Sequence, residues 1–105
     1  MKAKVVGLKY NKVEEPASNG DYLILVADNE NEFDSDAIAV YNHKNELIGY
    51  LANSERTLSE NNRKNGSLFA SDIRKFLDFE NHNYLAKVMN SYRSCIYLEI
   101  QWASI

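Results

Sequence analysis

The segment LILVADNENEFDSDAIAV, Leu23–Val40, decides how this chain is read. It opens on a continuous apolar run of strand length, too short for a helix, which reads as a strand buried on both faces. It closes on Ala37-Ile38-Ala39-Val40, again strand-like. Between them Asp28, Glu30, Glu32, Asp34 and Asp36 recur at every second position with no base among them. Such a loop is a cation site, a solvated connection, or a device that reads one chemical group. Two strands joined by a turn-rich loop point to antiparallel pairing, so the rest of the chain is read for strands that extend that sheet.

Upstream, KAKVVGLKY reads as a strand through its β-branched residues and tyrosine. VEEPASNGD, with the only proline and an Asn-Gly pair, is a turn or exposed loop. Downstream, HKNE connects the AIAVYN strand to a returning ELIGYLA strand. Residues 54–65 then read as a polar helix, capped by Asn53 or Ser54, touching the core through Leu58 and closed by Gly66. Ile73, Phe76 and Leu77 lie at helical spacing behind Ser71, which predicts a second helix over residues 71–79. NYLAKVM is strand-like. CIYLEIQW alternates Ile96, Leu98, Ile100 and Trp102 with Tyr97, Glu99 and Gln101, the pattern of a half-buried strand. The expected fold is α+β, mainly β: six short antiparallel strands and two helices. A small barrel is favoured because closure removes exposed edges.

The 105 residues fit one domain. A chain of this size buries roughly 65% of its unfolded surface, enough for one core. A net charge of −3 argues against nonspecific wrapping of nucleic acid, yet it leaves room for a small site that grips a strand end. No apolar run has the roughly 20 residues a membrane span needs. No signal-peptide pattern opens the chain. Cys95 is the only cysteine, which rules out an internal disulfide and suits a buried, inert thiol in a cytoplasmic protein.

An EF-hand would need a central glycine and flanking helices, and the acidic loop has neither. No His or Lys stands near these carboxylates in sequence to serve a nuclease, and no nucleotide-binding or hydrolase motif occurs. The chain therefore reads as neither a metal enzyme nor a cofactor protein. Of the seven tyrosines, Tyr22, Tyr84 and Tyr97 sit inside strands and read as structural. Tyr10 and Tyr50 lie near strand ends, where an exposed ring suits base stacking.

VVGLKY, the Leu23–Val40 segment and LIGYLA, taken in order, resemble the HIRAN domain. The shared pattern is a strand ending in glycine with a basic–aromatic pair, an apolar strand, an Asn-Pro-Tyr-Asp-like turn, an AI.V strand, and IG followed by an aromatic or histidine. The specific motifs run from Val5 to Leu51. The resemblance implies an OB-like barrel that binds single-stranded DNA and holds its free 3′-hydroxyl end in a pocket, without enzymatic activity. It implies that Lys9 meets a phosphate and Tyr10 stacks on a terminal base. Asn31 would hydrogen-bond the nucleotide or the backbone, and Phe33 would supply the second stacking face. Asp34 would accept a hydrogen bond from the 3′-hydroxyl, and Tyr50 would line the rim. An acid there repels a 3′-phosphate and accepts from a hydroxyl, which favours one kind of end.

The chain departs from the pattern at three places. Phe33 lacks a tyrosine's hydroxyl, Glu32 replaces the proline, and Asn11 stands where another aromatic can occur. The basic complement is Lys9, Lys12 and either Lys87 or Arg93. A small adaptor that docks a protein on the same barrel face is the alternative function.

Overall fold

A computed structural model describes the backbone of residues 1–104 and the side chains of residues 1–101. Six strands are present: β1 Lys2–Val6, β2 Tyr22–Ala27, β3 Ile38–Tyr41, β4 Leu47–Leu51, β5 Tyr84–Ser91 and β6 Ile96–Ser104. They close into a barrel in the order β1-β4-β3-β2-β5-β6, every pair antiparallel. Closure comes from β1, which pairs with β6 through Ala3–Leu98 and with β4 through Val5–Leu51.

The interior takes alternate residues from each strand. Ala3 and Val5, Leu23 and Leu25, Ala86 and Val88, and Ile96, Leu98 and Ile100 are all buried there. The β2 run is accordingly buried on one face, not on both as its unbroken apolarity suggested. Tyr22 is half exposed, and Ile24 and Val26 are only partly covered. The physical reason is that a small barrel has one interior, and no second layer covers the outside of β2. The expected inward alternation of β6 is present at Ile96, Leu98 and Ile100, while the Trp102 side chain lies outside the described residues.

Three short helices occur among the described residues, where two were expected: α1 Leu8–Asn11, α2 Glu60–Lys64 and α3 Ala70–Phe76. The first strand stops at Val6 because Gly7 takes φ 78°, a left-handed conformation that suits glycine. The chain then coils once, so Lys9 and Tyr10 stand on a helical turn and not at a strand end.

The expected helix over residues 54–65 is reduced to α2. Ser54 and Thr57 form a separate turn, and Leu58 then drops into full burial. Ser59 is the N-cap, its Oγ accepting from the Asn62 amide at 3.3 Å. One apolar anchor among twelve residues, several of them poor helix formers, does not hold three turns. Gly66 follows α2 with φ 92°, as its place after the helix suggested.

Helix α3 carries Ile73 into the core, and Leu77 is buried just beyond it, but Phe76 points outward. Ser71 is not its cap. The Ser71 amide is instead met by Asn53 Oδ1 at 2.8 Å, from a residue 18 positions away. Phe79, past the helix end, is buried edge-on against Tyr84.

Candidate functional site

Tyr50 marks where β1 leaves the sheet. Its cross-strand partners are Val6 on one side and Ala39 on the other. The α1 turn therefore begins beside it, and its hydroxyl reaches the acidic loop that precedes β3. Gly49 makes that junction possible. A Cβ at Gly49 would overlap the Val6 carbonyl oxygen and come to 2.9 Å from Val5 Cγ1. Glycine there is needed for space, not for φ.

The loop Asp28–Ala37 is built from its own polar side chains. Tyr50 Oη donates to Asp28 Oδ2 at 3.1 Å, and Asn31 Nδ2 donates to the same oxygen at 3.4 Å. Asn31 Oδ1 accepts the Phe33 and Asp34 amides at 2.9 and 3.0 Å. Asp34 Oδ1 accepts the Asp36 amide at 2.9 Å, and its Oδ2 accepts Asn53 Nδ2 at 2.8 Å. These are the side-chain-to-backbone bonds by which Asn and Asp turn a chain. Burial first, then the hydrogen bond and negative charge of Asp28, raises the Tyr50 pKa above the usual phenol range.

One chain of hydrogen bonds thus joins Tyr50, Asp28, Asn31, Asp34 and Asn53. Of the residues singled out from the sequence, Asn31, Phe33, Asp34 and Tyr50 belong to this construction. Lys9 and Tyr10 stand apart on α1, the Lys9 ammonium 4.9 Å from the Tyr10 ring centroid. Tyr10 is 75% exposed and Phe33 96% exposed. The arrangement is a rim of exposed groups and not a closed pocket. None of three surface cavities of 280 to 680 Å3 includes Tyr10, Asn31, Phe33, Asp34 or Tyr50.

Two residues that the sequence did not connect with this loop, Arg74 and the helix-cap candidate Asn53, hold it in place. Arg74 of α3 donates Nη1 to Asn29 Oδ1 at 2.9 Å, Nη2 to the Ala37 carbonyl at 2.9 Å, and Nε to the Asp36 carbonyl at 3.2 Å. Asn53 ties Asp34 to the first turn of α3. Neither lies within reach in sequence, so no local pattern announces them. Among the described residues, no group of three or more His, Cys, Asp or Glu side chains converges as a metal site would. Among the described residues, no helix is long and apolar enough to cross a membrane.

Comparison with known proteins places the architecture. The crystal structure of the HIRAN domain of human HLTF superimposes with a TM-score of 0.63 at 20% identity, covering 95% of this chain and 71% of that one. That likeness is one of fold. No curated protein matches the chain. The family model for the HIRAN domain matches residues 1–78, three quarters of the sequence, including both the α1 turn and the acidic loop. The chain belongs to the HIRAN domain family.

Proposed function

We propose that this chain is a non-enzymatic recognition module for single-stranded DNA, reading the free 3′-hydroxyl end at the rim beside Tyr50. HIRAN domains are DNA-binding modules, and membership of that family supports the reading at its coarsest level. The observation that carries the finer reading is Phe33. Its ring is almost wholly exposed, yet its backbone is held by Asn31 and flanked by an anchored Asp34. A large apolar ring kept in water on a braced loop gains by covering a partner's flat face, and base stacking contributes about 1–3 kcal/mol per base. Tyr10 offers the second ring and Lys9 a cation for the adjacent phosphate.

Asp34 supplies the end preference. An ionised carboxylate has roughly four acceptor sites, and Asp36 and Asn53 occupy two. The remaining capacity suits a terminal hydroxyl, while the charge repels a terminal phosphate. Asn31 has a structural task in the same loop, so its role toward DNA is mainly to orient Phe33 and Asp34.

The test is a titration with a labelled single strand ending in 3′-hydroxyl or 3′-phosphate, and with blunt duplex, at low salt. The hydroxyl end is expected to bind tightest. Equal binding of all three sinks the end-reading. Binding of none, together with capture of a protein on the same two rings, favours the adaptor alternative.

A further inference from the structure

A groove of 680 Å3 opens beside α1, with Lys9 in its lining. One wall is α1 with the segment after it, and the other is the tip of the β5–β6 hairpin around Tyr92 and Arg93. The two walls are tied together. The Ser91 amide donates to Asn19 Oδ1 at 2.8 Å, and Ser91 Oγ donates to the Ala17 carbonyl at 3.0 Å. The lining carries three cations, Lys9, Lys12 and Arg93, against one acid, Glu14. All three cations are exposed, and Tyr92 presents a ring that is more than half exposed.

Charge decides what such a groove takes. The whole chain is net negative, and five acids crowd the loop that carries Phe33 and Asp34. A polyanion whose end sits at Tyr10 and Phe33 is repelled across that loop and attracted across α1. Lys9 belongs to both places, lining the groove while its ammonium lies over the Tyr10 ring.

We propose that this groove carries the internal phosphates of the bound single strand, with Lys12 and Arg93 as phosphate contacts and Tyr92 as a stacking face for an internal base. The proposal rests on the end-binding reading for the direction in which the strand leaves the rim. The groove itself is independent of the hydroxyl preference. Tethering by Ser91 means that the walls need no rearrangement to receive the backbone, which keeps the ordering cost of binding low.

The experiment compares 3′-hydroxyl strands of about 3 and about 12 nucleotides across a salt series, the longer matching the upper range of a small barrel's site. The variant is Lys12→Asn with Arg93→Gln. Asn suits position 12 because Lys12 has φ 50°, a left-handed conformation that Asn tolerates. The longer strand should weaken about tenfold at low salt, and its salt slope should flatten by about 1.4, for two single-strand phosphates. The short strand should bind as it does to the wild type. The charge-conserving pair Lys12→Arg with Arg93→Lys should retain the slope.

An unchanged slope, or equal weakening of both lengths, overturns the groove. The two readings fail separately. A hydroxyl preference that persists with an unchanged slope removes the groove alone. A flattened slope without any hydroxyl preference keeps the groove and removes the end-reading. A wild type that binds neither length at low salt removes both.

Discussion

Asn53 Nδ2 donates to Asp34 Oδ2 at 2.8 Å, while Asn53 Oδ1 accepts the Ser71 amide, also at 2.8 Å. One amide side chain therefore fixes the acid of the proposed end-reading site against the start of α3. Asn53→Ala removes both bonds at once, leaving a partly buried acceptor and a helical N–H without this partner. The expected loss is about 2 kcal/mol, read as a fall of roughly 10 °C in melting temperature for a domain of this size. A shift within about 1 °C would show that water replaces Asn53 at little cost.

The same contact changes what Asp34→Asn tests. Asn at position 34 still turns the chain toward the Asp36 amide, but it faces the Asn53 amide with a donor. The single substitution should therefore destabilise the fold by about 1 kcal/mol as well as weaken hydroxyl-end binding about tenfold. Asp34→Asn with Asn53→Asp exchanges donor and acceptor and restores every bond. Thermal melts should show the double variant recovering stability. Titration should show that its preference for 3′-hydroxyl over 3′-phosphate does not return. Recovery of both would make Asp34 a purely structural residue.

Arg74 makes three charge-assisted bonds to the loop that carries Phe33. Arg74→Gln should lower stability by about 2 kcal/mol and speed amide exchange at residues 29–37. Arg74→Lys should recover little of this, because a point charge does not reproduce the guanidinium fork. Unchanged exchange in that loop in both variants would show that the Asx turns alone hold it.

Gly49→Ala should be among the most damaging single changes in the barrel. The added methyl meets the Val6 carbonyl and the Val5 side chain across the β1–β4 pairing. Overpacking against backbone costs about 3 kcal/mol. Urea unfolding should show the loss as a lower midpoint at an unchanged slope, and a near-neutral result would mean that β1 can shift away from β4.

Tyr50 gives a pH signature. Its phenol pKa is raised above 10.0 by burial, then by Asp28. The fold thus favours the neutral form, so the stabilisation is fully present below the unfolded value and is lost as pH rises through the raised folded value. Tyr50→Phe should be about 1 kcal/mol less stable than wild type at neutral pH. That gap should close on the alkaline side of 10.0, measured by denaturant melts. A gap that stays constant to about pH 11 would show that folding does not shift the ionisation of the Tyr50 phenol.

What the sequence by itself determined is local. Period-two alternation places Ile96, Leu98 and Ile100 on one face of β6, and the spacing of strand-length runs yields six strands. Turn chemistry is equally local: Asn31 and Asp34 fold the loop by bonding amides two and three residues ahead. The ordered motifs from Val5 to Leu51 carry the family. Other features were invisible because their partners are remote. Barrel closure joins Ala3 to Leu98, and Asn53 and Arg74 meet the acidic loop from 19 to 45 positions away. The strand that ran on to Tyr10 in the sequence reading ends at Val6, where Gly7 takes positive φ and α1 folds over β4. Leu58 looked like a helix contact, but burying it breaks the polar segment into a turn and a short α2. Periodicity and Asx turns act over a few residues, so a sequence displays them directly. Which strands become neighbours, and which distant side chain reaches a loop, is settled only when the sheet closes and brings those groups within hydrogen-bond range.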